Sequence, residues 1–384
     1  MPERVPAEVF SPGEYIKDFL EGRGWTQNDL AEILGRPLQL VNEIILDKRG
    51  ITPETAKGLA QAFDTSAQLW LNLDAAWQLY KTRTSTPDPT IALRARIYSR
   101  GPIKEMVKRG WIEYSSNAEV LEQRALDFFF IDTLEDIPNV LPAAARMSTP
   151  YDAYTPSQWA WMCRAKHLAK AVPVSAKFDP RASEGLIQKL RTLLEDSEEV
   201  RHVPEVLADW GIRFLVVEHL AKTKIDGVCL WLDEESPIII VSLRYDRIDY
   251  SWFTLMHELK HALNGDGLHN AFLALDDRLV GEDAKNTEDK PDFEREADRF
   301  AEEALIPRDV LDDFVVRKGP LFSELDIRAF ASLHQIHPGL VVGQLHHRKE
   351  VPYSKFRRLL VKVREKLIQS ALTDGWGHAV PSLT

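Results

Sequence analysis

The first eighty residues repeat one phrase: a polar start, a few apolar residues at helical spacing, and a stop. Tyr15, Ile16, Phe19 and Leu20 fall on one face of a helix that Gly22 and Gly24 close. Thr26 opens the next segment with a side-chain oxygen able to accept from the amide three residues on. Leu30, Ile33 and Leu34 form its inward stripe, and Gly35 ends it. Pro37 marks another start, with Leu40, Val41, Ile44 and Ile45 inward. Thr52-Pro53 supplies a cap and a first-turn proline for a helix running to about Phe63. Leu69, Trp70, Leu73, Trp77 and Tyr80 line a fifth, from about Ser66 to Tyr80.

The polar stretch Thr82 to Thr90, with prolines at 87 and 89, is the best linker candidate. Beyond it the pattern is helical to about residue 174, with Trp111, Phe128 to Phe130, Trp159 and Trp161 as expected core. The texture then changes. Helical segments from Glu184 to Leu194 and Val203 to Trp210 precede strand-like runs at Arg213 to Val217, Gly227 to Trp231 and Ile238 to Val241. Helices follow near Ser251 to Leu263 and Phe293 to Leu305. A basic run from Ser354 to Lys366 reads as an amphipathic helix with Phe356, Leu359, Leu360 and Val363 inward and a solvated basic face. The expected fold is mostly α: an all-α helix-turn-helix domain over 1–82, a helical connector over 83–174, an α+β domain with a small sheet over 175–350, and a basic helix and tail over 351–384.

Composition narrows the class without deciding it. The 384 residues are 44% hydrophobic and 28% charged, as in ordinary globular chains. No apolar run approaches the roughly 18 residues of a membrane span. Two cysteines, Cys163 and Cys229, are too few for a disulfide scaffold or a cysteine-rich zinc site. The opening Met-Pro-Glu-Arg-Val-Pro shows no basic-then-apolar leader, so a cytoplasmic location is expected. The balance of 48 basic against 59 acidic residues, net −11, excludes a general nucleic-acid coat and leaves only local patches for DNA.

The chemistry concentrates in His257-Glu258-Leu259-Lys260-His261. Histidines at i and i+4 project from one helix face, so His257 and His261 suit a single zinc ion. Glu258 between them suits the base that takes a proton from metal-activated water. A third ligand is sought in Phe293 to Ala301, where Glu294 and Glu296 are the candidates. Glu294 is preferred, because Asp298 lies four residues on and would accept from the outer nitrogen of a ligating histidine. Glu296 has Phe300 at that place. His269, His334, His337, His346 and His347 are read as structural or exposed.

These residues, with Phe253 to Ala262 and Glu294 to Pro307, resemble the ImmA/IrrE metallopeptidases. Lys224-Ile225-Asp226-Gly227 and Arg247 are similar to that family too, and the resemblance spans residues 175–345. It implies a gluzincin-type fold and limited zinc-dependent cleavage of a protein partner, such as a repressor. Lys260 stands where the family motif usually has glycine, a departure at the tuning of the site.

Thr26 to Leu46 has the anatomy of a helix-turn-helix, a helix, a short glycine-containing turn and a second helix. Gln39 and Asn42 would face adenine edges in the major groove, and Lys48 and Arg49 would hold phosphates. Residues 1–80 carry seven basic residues against twelve acids, so tight binding calls for a dimer on a two-fold operator. Trp25 to Gly35, Val41 to Ile45, Lys48 to Ala56 and Trp70 to Leu73 are similar to HigA-type antitoxins of the Xre/Cro-like group. That resemblance implies operator binding, homodimerisation, transcription regulation and a toxin partner.

The combined expectation is a DNA-binding regulator with a zinc endopeptidase domain that cleaves one protein partner: a repressor, toxin or defence effector. The alternative is an antitoxin-like repressor whose peptidase fold is a non-catalytic sensor or docking module.

Overall fold

The structure, a computed structural model, describes residues 9–82, 88–137, 155–221, 223–268, 276–277 and 290–377. His269, most of the linker and part of the 83–174 segment lie outside the described residues. The chain divides into two compact units, 1–89 and 90–384.

The first unit is five helices: α1 (Pro12–Arg23), α2 (Gln27–Leu34), α3 (Leu38–Ile45), α4 (Pro53–Phe63) and α5 (Ala67–Thr82). Their ends follow local chemistry. Ser11 and Thr26 each form a reciprocal capping box, with Glu14 and Asp29, and Thr52 caps α4 ahead of Pro53. Gly24 and Gly35 close α1 and α2 in the left-handed conformation, at φ 64° and 61°. Ile16, Leu30, Val41, Ile44, Leu59, Phe63 and Trp70 make the core. Ile33, expected inward, is 49% exposed, because α2 turns Leu30 and Ala31 to the core instead.

The second unit is built on a five-stranded sheet in the order β4-β2-β3-β1-β5. The strands are β1 (Arg213–Val217), β2 (Ile225–Trp231), β3 (Pro237–Val241), β4 (Asp276–Asp277) and β5 (Leu372–Asp374). β1 runs parallel to β3 and β5, whereas β2 is antiparallel to β3 and β4. Successive residues point to opposite faces, so the β-branched runs feed two cores. Phe214, Val216, Ile239 and Val241 join one; Leu215, Val217, Ile238 and Ile240 join the other.

Helices cover both faces. The first is packed by α10 (Ser183–Arg191), α11 (Val203–Asp209), α12 (Ile248–Asn264), α13 (Asp292–Leu305), α14 (Arg308–Lys318), α15 (Glu324–Leu333) and α16 (Pro338–His347). The second is packed by α6 (Pro89–Arg100), α7 (Ile103–Lys108), α8 (Ala118–Phe129) and α9 (Pro156–Ala169). The segment read as a connector is therefore a layer of this unit, its Trp111, Phe128, Phe129, Trp159 and Trp161 buried against the sheet side. Phe130 is the exception: it ends α8 at φ 56°, is 47% exposed, and stacks on His167.

The expected basic helix over 354–366 is not formed. Phe356 sits at φ 57°, Arg357–Leu359 is one 3-10 turn, and only Arg364–Leu367 (α17) is α-helical. Leu359, Leu360 and Val363 are buried as expected, but through irregular backbone. Tertiary hydrogen bonds replace helical ones: the Val363 and Arg364 amides donate to Asp246, and Ile248 N–H donates to the Val361 carbonyl. No helix among the described residues is long and apolar enough to cross a membrane.

Candidate metal centre

Helix α12 carries the site because almost all of it is buried. Phe253, Leu255, Met256, Leu259 and Ala262 anchor it, and Gly265 at φ 71° closes it. The i, i+4 spacing then brings His257 and His261 to one face, where α13 lies across them. His257 Nε2 is 3.0 Å from His261 Nε2 and 3.1 Å from Glu294 Oε2, and His261 Nε2 is 3.7 Å from the same oxygen. His257, His261 and Glu294 are the metal-capable group found among the described residues, and all three are buried.

The outer nitrogens are held by carboxylates. His257 Nδ1 lies 3.1 Å from Asp298 Oδ1, and His261 Nδ1 lies 2.9 Å from Asp266 Oδ2. With each Nδ1 carrying the hydrogen, both Nε2 atoms present lone pairs inward, beside a third acceptor on Glu294. Glu294 Oε1 is buried with no hydrogen-bond partner. Three acceptors this close repel unless a cation or proton lies among them. Tetrahedral zinc with ligands at 2.0–2.1 Å would separate two of them by about 3.3 Å, close to the spacings seen. The donor set therefore fits a metal ion.

In the metal-free protein protons answer the same need. Burial disfavours a charged His261, yet the bonds to Asp266 and Glu294 prevail and push it up to about 9. Burial likewise opposes ionised Glu294, and the two histidines overcome it, holding its carboxyl far below the usual range. Asp298 is shifted down by the same contest, against burial, through His257 and Lys290.

Glu258, 2% exposed, lies on the side of α12 that meets β2. A Cβ at Gly227 would sit 2.7 Å from Glu258 Oε1 and 2.5 Å from Thr254 Cγ2, so only glycine lets strand and helix approach here. Glu296, the rival ligand, points away and pairs with Lys260 at 3.0 Å, bridging α12 and α13 on their outer side. The lysine at the unusual position thus occupies the competing carboxylate.

The other histidines serve elsewhere. His337 accepts from the Gly339 amide at the start of α16, and His346 Nε2 lies 3.0 Å from the Lys355 carbonyl. His347 is 3.4 Å from Glu302, and His334 lies tilted against Phe330. Sequence reasoning missed Asp266 and Lys290. Asp266 lies beyond the glycine that ends α12, outside any periodic pattern, and Lys290 lies before α13 begins.

In the first unit Gln39, Lys48 and Arg49 are exposed and Asn42 is half-buried around α3. Gln39 Nε2 donates to Glu43 at 2.9 Å, and Arg49 pairs with the same carboxylate at 3.2 Å.

Two family models match the chain: the helix-turn-helix over residues 16–70 and the IrrE N-terminal-like domain over residues 211–320. Virulence-associated protein I of Dichelobacter nodosus is 38% identical over 69 residues, 18% of this chain and 64% of that protein. The HTH-type transcriptional regulator YbaQ of Escherichia coli K12 is 36% identical over 76 residues, 20% of this chain and 67% of that protein. The chain belongs to the helix-turn-helix family. This helix-turn-helix protein carries, in its second unit, a domain of the metallopeptidase-type IrrE family. Among solved structures its helix-turn-helix region is similar to the Pseudomonas aeruginosa antitoxin HigA, determined with the higBA promoter. The identity is 34%, covering 20% of this chain and 83% of that one, with a TM-score of 0.19. It is also similar to PA4674 of the same organism, determined with a 28 bp operator, at 36% identity, 20% and 84% coverage and a TM-score of 0.19.

Proposed function

We propose that this protein is a DNA-binding regulator whose second unit is a zinc endopeptidase acting on one protein partner. The observation that carries the reading is the convergence of three buried acceptors, His257 Nε2, His261 Nε2 and Glu294 Oε2, with both outer nitrogens held by carboxylates. Such a set has one ordinary use, to hold a divalent cation, and two imidazoles with a carboxylate suit zinc. When bound there, zinc lowers the pKa of a coordinated water and polarises a carbonyl.

The chain's own residues supply the rest. Asp298 and Asp266 fix the imidazoles in the tautomer that turns Nε2 inward. Glu258, one residue after the first ligand, accepts the proton of the attacking water and returns it to the leaving amine. Close approach to Gly227 keeps its carboxylate oriented. Gln39 and Asn42 on α3 read base edges, while Lys48 and Arg49 hold phosphates, preferably in a homodimer that adds their charges. The relatives named as transcriptional regulators support the DNA side of this reading.

Glu258→Gln is the deciding variant. It should keep about one zinc per chain and lose cleavage of the partner and the regulatory response. A Gln variant with full regulatory function would assign the second unit to docking or sensing instead.

A further inference from the structure

The carboxylate behind His257 is itself held from behind. Asp298 presents Oδ1 to His257 Nδ1 at 3.1 Å and Oδ2 to Lys290 Nζ at 2.7 Å. His257 is fully buried, Lys290 is 7% exposed and Asp298 is 9% exposed. An ammonium, a carboxylate and an imidazole thus form a chain ending at the His257, His261 and Glu294 cluster. The Lys290 carbonyl accepts from Arg295 Nη1 at 2.9 Å, which fixes the lysine backbone over the first turn of α13.

Among the described residues the other histidine has no such arrangement. Asp266, the partner of His261, leaves 22% of its side chain in solvent. Asp298 leaves 13% and stands one helical turn from Glu294 on one side and Glu302 on the other. In so dry a place the ammonium of Lys290, 2.7 Å away, fixes the plane of this carboxylate. Without that ammonium the carboxylate is free to turn away from the ring hydrogen of His257.

We propose that Lys290 is a positioning residue for the metal centre. Its ammonium keeps the Asp298 carboxylate aimed, and Asp298 in turn holds the His257 ring with Nε2 toward the metal position. The proposal rests on reading His257, His261 and Glu294 as a metal centre.

The test is zinc affinity of the full chain, measured by competition with a chromogenic chelator. It compares wild type, Lys290→Met, Lys290→Arg, Asp298→Asn and the double variant Lys290→Met/Asp298→Asn. Outer-sphere partners of ligating histidines are worth roughly 10- to 100-fold in metal affinity. Lys290→Met should therefore weaken zinc about tenfold, and Lys290→Arg should stay near wild type. The double variant should bind no more weakly than Asp298→Asn, because the lysine acts only through that carboxylate. Should Lys290→Met alone fail to fold, the double variant, neutral at both places, still allows the comparison with Asp298→Asn. A further severalfold loss in the double variant, or unchanged affinity in Lys290→Met, overturns the proposal. A wild type that binds no zinc overturns the metal reading itself and this proposal with it.

Discussion

At the scale of single residues, the site depends on which carboxylate faces inward and on how closely backbone approaches Glu258. That Glu294 rather than Glu296 faces the two histidines was legible, because Asp298 lies one helical turn on, where it meets the outer nitrogen of His257. Asp266 was not, since it stands after a left-handed Gly265 where spacing carries no information. Gly227 was visible only as part of a family-like run; its reason is steric. Gly227→Ala should push Thr254 and Glu258 aside and cost about 1–3 kcal/mol, as overpacking of a buried contact does. Zinc stoichiometry should be kept, because the atoms a Cβ would meet belong to neither histidine nor Glu294. Denaturant unfolding with metal analysis checks both parts, and unchanged stability would mean that the two side chains make room freely.

At the scale of elements, caps and β-branched runs were readable because each is a local cause. Thr26 with Asp29 starts α2, and Ile238 to Val241 lies within a strand buried on both faces. The 354–366 segment shows the limit. Apolar residues at 356, 359, 360 and 363 suit a helix, but they suit docked turns equally, and the Asp246 carboxylate favours the turns. In the first unit the same local logic makes a prediction about α3. Glu43 engages both Gln39 and Arg49, the exposed side chains proposed for DNA. Glu43→Gln should release Arg49 and remove a negative charge, tightening binding to duplex DNA by up to roughly fivefold, about 1 kcal/mol. Arg49→Ala should weaken it and reduce the salt slope by about one. Fluorescence anisotropy at several salt concentrations measures both; equal slopes for Arg49→Ala and wild type would remove Arg49 from the phosphate contacts.

At the scale of the whole molecule, the break between the two units was legible in the Pro-rich stretch at 82–90, whereas the change of texture near 175 falls inside the second unit. The role of the 91–174 helices was not legible, because an apolar helical stripe does not say which surface it covers. Here they cover the second face of the sheet. Buried histidines give the molecule a pH dependence. Burial lowers His167, His219, His337 and His346 below their ordinary 6.5, so the unfolded chain takes up protons first as pH falls. Stability contributed by their neutral forms is lost from about pH 6.5 downward. His261, raised to about 9 in the metal-free fold, loses its contribution as pH rises through 9; between 6.5 and 5.5 the last part of that contribution still builds and weakly opposes the four histidines. Asp249 and Glu302, raised by burial, oppose the histidines from the carboxylate side. The thermal midpoint of metal-free protein should fall between about pH 6.5 and 5.5; a midpoint that rises there would show the two carboxyls dominating. The central claim is that the α12–α13 crossing holds a metal, and metal content of the purified chain tests it most directly, wild type beside His261→Ala. The account predicts about one zinc per wild-type chain and loss of it in the variant. No stoichiometric metal in either protein after zinc is supplied would contradict it and leave the helix-turn-helix to carry the function.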